Sequence, residues 1–261
     1  MPAHIVEAAR GRGLDVFVLA LEGIAEAAVL EGVPHGWVRL GAVGRALDLL
    51  RQADVTEVVL AGPVPRPSLG ALGLDARGLR MLASLGLGAR GDDRILSRIV
   101  TELESEGFAV RAIDEVLGGT RVGAGPLGRH APDDGAATDI ALGMRVARAL
   151  GALDIGQAVV VQQGLVLGVE AVEGTDALLA RAATLRKAGP GGVLVKLPKP
   201  GQETRVDLPT IGPVTIEGAR AAGLRGIAVQ AGGTLLIEAG RVRALADDAG
   251  LFVIGVEPDP A

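Results

Sequence analysis

Residues 154–213 read DIGQAVVVQQGLVLGVEAVEGTDALLARAATLRKAGPGGVLVKLPKPGQETRVDLPTIGP. Two short apolar runs, 157–162 and 165–169, predict strands joined by a tight hairpin across Gln163-Gly164. A helical stretch near 175–188 follows, then a third strand at 192–197. Strand, helix and strand in this order predict an α/β unit. The hairpin makes its sheet mixed rather than purely parallel. The strand ends and loops carry the chemistry. Glu170, Glu173 and Asp176 surround a Gly-Thr turn, Lys196 and Lys199 leave the third strand, and Arg205, Asp207 and Thr210 fill a Gly/Pro-bounded loop. Packing explains acids, lysines and an arginine poorly at such places. Together they suit a divalent metal holding a phosphate.

The pattern extends in both directions. Downstream, strands are expected near 226–230, 234–237 and 251–256, with helices near 215–222 and 240–249. Upstream, a helix at about 137–150 opens the second half. The first half alternates strands at 16–21, 37–40, 57–61 and 108–112 with helices at 44–53 and 92–106. The last of these places Ile95, Leu96, Ile99, Val100 and Leu103 on one face, behind Asp92 and Asp93 as caps. That alternation predicts a Rossmann-like parallel sheet. Residues 118–135 (GGTRVGAGPLGRHAPDDG) are the linker candidate. The expected organisation is an N-terminal α/β domain over 1–130 and a C-terminal α/β catalytic domain over 131–261.

Composition narrows the function classes. With 49% hydrophobic but only 2% aromatic residues, the core must be Ala, Val, Leu and Ile. No cysteine is present, so thiolate metal sites, disulfides and Cys nucleophiles are excluded. Three histidines are too few and too scattered for a multi-His zinc site, which leaves oxygen ligands and Mg²⁺, with Mn²⁺ as alternative. The net charge of −5 with dispersed basic residues argues against nucleic acid as partner. No apolar run reaches the length of a membrane span, and the first residues have no signal-peptide core. A soluble cytoplasmic protein is expected.

Each motif has a plainer reading beside the functional one. Gly86–Gly91 and Gly123–Gly128 both match G-x-G-x-x-G, but neither sits between a strand and a helix, so a dinucleotide site is not indicated. His35 reads as structural, and His130 as a solvated linker residue. Arg90 with Asp92 and Asp93 is either a simple helix start or a terminus facing a phosphate. Thr175 and Asp176 could merely cap the helix that follows, and Lys196 on an apolar strand calls for an anionic partner. Ion pairing could account for one of these residues, and accounts poorly for all of them together.

The segments VFVLALEG (16–23), PHGWVRLG (34–41), VVLAGPVPRPSL (58–69), GARGDD (88–93), DIGQAVVV (154–161), AVEGTDALLARA (171–182), GGVLVKLPKPGQETRVDLPTIGP (191–213) and GIAVQAGGTLLIE (226–238) occur in this order along nearly the whole chain. In them the chain resembles the LpxI-type UDP-2,3-diacylglucosamine pyrophosphatases of lipid A biosynthesis. EGTD and VDLPTIGP are the most specific of these matches. The resemblance implies magnesium-dependent hydrolysis of UDP-2,3-diacylglucosamine to UMP and 2,3-diacylglucosamine 1-phosphate (lipid X), in a two-domain enzyme that binds its substrate between the domains. It makes Asp207 the critical acid, as metal ligand or as the group orienting the attacking water.

Residue type and position suggest the other roles. Glu170, Glu173 and Asp176 would join Asp207 around the metal. Lys196, Lys199, Arg205 and Arg90 would meet pyrophosphate oxygens, and Thr175 and Thr210 would fix the phosphate. The acylated substrate implies peripheral contact with the inner membrane, and a homodimer is compatible with the sequence. Measured against that family, the N-terminal sheet is expected to lack its first strand and the Gly-rich loop after it. This keeps two alternatives in view: a catalytically weak UDP-ligand-binding remnant, and a pyrophosphatase for another nucleoside diphosphate compound.

Overall fold

The computed structural model describes residues 2–62, 64, 72–85, 92–118 and 121–258. The chain forms two compact units. The first holds Met1–Gly119 together with the short segment Glu203–Asp207, and the second holds Thr120–Gln202 and Leu208–Ala261.

In the first unit, helix α1 (Pro2–Gly11) leads to β1 (Val18–Leu21), a 3₁₀ turn (Ala27–Leu30), β2 (His35–Val38), α2 (Val43–Gln52) and β3 (Glu57–Val58). Then come α3 (Ala76–Leu85), α4 (Asp92–Ser105), β4 (Ala109–Val110) and α5 (Ile113–Leu117). The strands pair in parallel as the alternation predicts, but in two separate pairs, β1 with β2 and β3 with β4. β2 begins and ends two residues earlier than the apolar pattern suggests. The chain bends away after Val38, and the Gly41 N–H donates to the Leu72 carbonyl instead of to a neighbouring strand. Leu47 and Leu50 of α2, Val100 and Leu103 of α4, and Phe108 and Val110 form the core of this unit, with Val206 packed against it. Ile95 is 38% exposed, so the buried face of α4 is narrower than its periodicity implies. Helix α3 carries no strong sequence signal. Its start is made by Asp75, whose Oδ1 accepts the N–H groups of Arg77 and Gly78.

The second unit is built on a six-stranded sheet in the order β5-β12-β10-β8-β6-β7. Its elements are β5 (Gly125–Pro126), α6 (Asp134–Ala152), β6 (Ala158–Gln162), β7 (Leu165–Val169), α7 (Gly174–Leu185), β8 (Val193–Lys196), β9 (Thr210–Ile211), α8 (Pro213–Ala221), β10 (Gly226–Gln230), β11 (Leu235–Leu236), α9 (Ala239–Asp248) and β12 (Phe252–Val256). β8, β10 and β12 are parallel, while β6 runs antiparallel between β8 and β7. The mixed sheet is thus the one the hairpin demands. Gln163 and Gly164 both have positive φ (51° and 75°), and buried Asp139 accepts both of their N–H groups at 3.0 and 2.7 Å. α7, α8 and α9 supply the core on one face and α6 on the other. Two covered faces explain why β6 and β8 read as unbroken apolar runs. α6 lies so close that a Cβ on Gly143 would come within 2.4 Å of the Val195 side chain.

The Gly/Pro-rich stretch 118–135, expected as a linker, is largely ordered against this unit. β5 pairs with β12, the Arg129 N–H donates to Asp247, and half-buried His130 lies 3.2 Å from the Asp247 carbonyl through Nε2. His130 is therefore held in place rather than solvated. Backbone donors and acceptors on the edge of β12 recruit this stretch, a pairing that composition alone does not reveal.

Candidate active site

β7, β8, β10 and β12 all end on the same side of the second unit's sheet. In α/β sheets, ligands bind outside the carboxyl ends of the strands. Here those ends carry Glu170 just after β7 and Lys196 at the end of β8. The register aligns Lys196 with Ala158 on one side and Val229 on the other. The Glu170 N–H donates to the Ala158 carbonyl at 2.8 Å, which extends the row to Glu170. A carboxylate and an ammonium therefore flank a single methyl group on one sheet face, about 10 Å apart along the row. Both are buried, with 6% and 8% exposure.

Their partners are local. Glu170 accepts the Thr175 hydroxyl on Oε1 at 2.8 Å and the Gln157 N–H on Oε2 at 3.1 Å. Thr175 therefore fixes Glu170 instead of capping α7, whose N-cap is Glu173 with no side-chain capping bond. Glu173 pairs with Arg181 at 2.7 Å, and Asp176 lies exposed in the first turn of α7. The Lys196 ammonium donates to the Thr210 carbonyl at 3.2 Å, and the Thr210 hydroxyl donates to the Leu208 carbonyl. A carbonyl is thus one partner of this lysine. Lys199 reaches Asp154 at 2.6 Å. Asp154 and Gln157, which the sequence reading did not single out, belong to this end of the sheet. Gln157 places its backbone N–H on Glu170, while its Oε1 is buried without a hydrogen-bond partner. The available signal was a polar residue opening an otherwise apolar strand.

Arg205 and Asp207 belong to the segment that clusters with the first unit. Arg205 grips Glu203 through Nε and one terminal nitrogen, at 2.9 and 2.8 Å, and Glu104 through the other at 2.5 Å. Those carboxylates, Glu203 first, raise its pKa further above its already high ordinary value. In turn the Arg205 guanidinium holds Glu203 below the usual carboxylate range. A phosphate contact at Arg205 would have to compete with two carboxylates. The backbone N–H of half-buried Asp207 donates to the Glu203 carbonyl at 3.0 Å, which closes a tight turn and fixes the backbone beneath its side chain. Arg90 lies outside the described residues.

Magnesium can be tested against this donor set. Among the described residues, no three His, Asp or Glu side chains converge on a point that could hold a metal. Glu170, Glu173 and Asp176 do not form a common cluster, because the first two already serve Thr175, Gln157 and Arg181. A cage of protein carboxylates is thus not formed by these residues. Mg²⁺ commonly takes one or two carboxylates, with water and phosphate oxygens completing the shell.

Two α/β units, the second with buried ionisable groups gathered at the carboxyl ends of a mixed sheet, place the chain in the class of two-unit α/β proteins. The family follows from comparison with known proteins. The family model described as the LpxI N-terminal domain matches residues 1–120, and that of the LpxI C-terminal domain matches residues 123–254. The chain is also 45% identical over 265 residues to the UDP-2,3-diacylglucosamine pyrophosphatase LpxI of Caulobacter vibrioides, covering 99% of this chain and 94% of that protein. The chain belongs to the LpxI family.

Proposed function

We propose that this protein hydrolyses the pyrophosphate of UDP-2,3-diacylglucosamine, giving UMP and 2,3-diacylglucosamine 1-phosphate, in lipid A biosynthesis. The observation that carries this reading is identity of 45% along 99% of the chain to a relative bearing that activity in its name. The chemistry at the carboxyl ends of the sheet supports it. Hydrolysis of a phosphoric anhydride needs a positioned water and neutralisation of charge on the phosphoryl oxygens, and little covalent chemistry from the protein. Lys196, buried and rigidly placed, offers such charge where solvent screening is weak. Lys199 offers a second, already oriented by Asp154. Asp207 is the carboxylate proposed to orient the water or to hold Mg²⁺. When bound with the pyrophosphate, Mg²⁺ would withdraw charge from the bridging and terminal oxygens. Glu170, with Thr175 and Gln157 fixing both of its oxygens, fits a positioning role better than a metal-ligand role.

The test is release of UMP from UDP-2,3-diacylglucosamine by the whole chain, with Mg²⁺ and with chelator. Release with Mg²⁺ that stops on chelation is the expected result. No release under either condition overturns the proposal, and release indifferent to chelation removes the metal from it.

A further inference from the structure

A cleft of about 370 Å³ in the first unit is lined by Arg77, Arg80 and Met81 of α3 and by Arg98 and Glu102 of α4. The α3 residues are spaced i, i+3, i+4 and those of α4 i, i+4, so one stripe of each helix faces the cleft. Three guanidiniums and one carboxylate line it. Glu102, largely buried, accepts Arg77 Nε at 2.7 Å and a terminal nitrogen of Arg98 at 3.1 Å. Arg77 also pairs with Glu106. Two of the three guanidiniums are therefore held in fixed orientations. The third, Arg80, is exposed and pairs with no carboxylate among the described residues. The Arg98 Nε–H is buried and has no hydrogen-bond partner. A buried donor without an acceptor is uncommon in folded proteins, and its natural complement is an acceptor brought by a ligand.

We propose that this α3–α4 cleft is an anion site of the first unit, which receives a phosphate group through Arg80 and Arg98. Guanidinium forks match the oxygens of a phosphate in spacing and charge. The volume is small for a binding pocket and suits a phosphate with the few atoms attached to it. Two sources share this chemistry, free phosphate and a phospholipid headgroup. Leu79 beside Arg80 and Ile95 one turn from Arg98 are both exposed, at 59% and 38%.

The experiment uses the full chain, labelled with ¹⁵N at arginine, and follows the Nε–Hε resonances on addition of inorganic phosphate. In parallel, the chain is sedimented with vesicles of phosphatidic acid in phosphatidylcholine and with phosphatidylcholine alone. Arg80→Gln removes the exposed charge, and Arg80→Lys retains it. A shift of one buried Nε–Hε resonance, with affinity lowered about ten- to hundredfold in Arg80→Gln but not in Arg80→Lys, supports the site and assigns it to free phosphate. Co-sedimentation with phosphatidic acid vesicles that fails for Arg80→Gln supports the site and assigns it to the headgroup. Binding equal in both variants, or no binding of either probe by the wild type, overturns it. UMP release is measured on the same samples. Its loss in the wild type would count against the proposed activity and leaves these binding readouts unaffected.

Discussion

Lys196→Met separates a catalytic from a structural role for the charge at the end of β8. The side chain is 8% exposed, and its ammonium donates to the Thr210 carbonyl at 3.2 Å. Methionine keeps the length and apolar stem and removes the charge. The folded state loses a hydrogen bond with a net value of about 1 kcal/mol but no longer desolvates an ammonium. The two effects oppose each other, so stability should change by no more than about 1–2 kcal/mol. If the ammonium meets a pyrophosphate oxygen in the transition state, removal of a charge-assisted contact costs about 1.5–3 kcal/mol. That corresponds to a loss of about 10- to 150-fold in kcat/KM. The assay is UMP release under saturating Mg²⁺, with thermal denaturation of the same samples. An unchanged kcat/KM would refute the reasoning and leave Lys196 as a strut for the Thr210 loop. A large drop in Tm with normal activity of the folded fraction would do the same.

Other perturbations test separate parts of the molecule. Asp207→Ala should abolish turnover, by about a thousandfold or more, while UDP-ligand binding and Tm hold; turnover retained in that variant removes Asp207 from the reaction. Gly156→Ala should destabilise the second unit by about 1–3 kcal/mol, because its Cβ would lie 2.1 Å from the Glu170 carbonyl oxygen and force the backbone beneath that acid to move. A Tm within a degree of wild type would contradict this close approach. Stability should also fall in acid. Arg205 depresses the Glu203 pKa, and the Ala136 N–H at the start of α6 depresses that of Asp133. For Asp75, burial pushes the pKa up, but four backbone N–H groups outweigh it and the net shift is downward. Depressed carboxylates contribute stability that is complete above their unfolded values of 4.5 and 3.8 and is lost as pH falls through the lower folded values. Urea denaturation should therefore give equal stability at pH 7 and 6 and a decline below about pH 4.5; a flat profile to pH 3 would argue against these contacts.

Local signals made most of the second unit readable in advance. Apolar runs fixed β6 and β8, because burial on both faces leaves no room for polar alternation. The Gln163-Gly164 pair fixed the hairpin, because few residue pairs tolerate two positive φ angles in succession. The i, i+3, i+4 spacing located α2, α4 and α9 to within a residue or two. The residue types of the candidate site stood out as well, in the acids, lysines and threonines that local packing did not require. Their partnerships were not. Thr175 and Asp176 looked like helix caps, and only the fold turns the Thr175 hydroxyl onto Glu170.

What tertiary structure decided is what depends on residues distant in sequence. Arg205 reads as a phosphate ligand in the sequence, and the fold brings Glu104, 101 positions earlier, beside it. The 118–135 stretch reads as a linker until β12 offers it an edge. The α3–α4 cleft exists only because packing brings arginines of two helices together around Glu102. The sequence by itself determined the backbone conformation of most segments, through turn chemistry and periodic burial, and so the fold class. Which charge meets which is a matter of Coulomb interactions over a few ångströms. Separation along the chain does not encode those distances, and packing alone sets them.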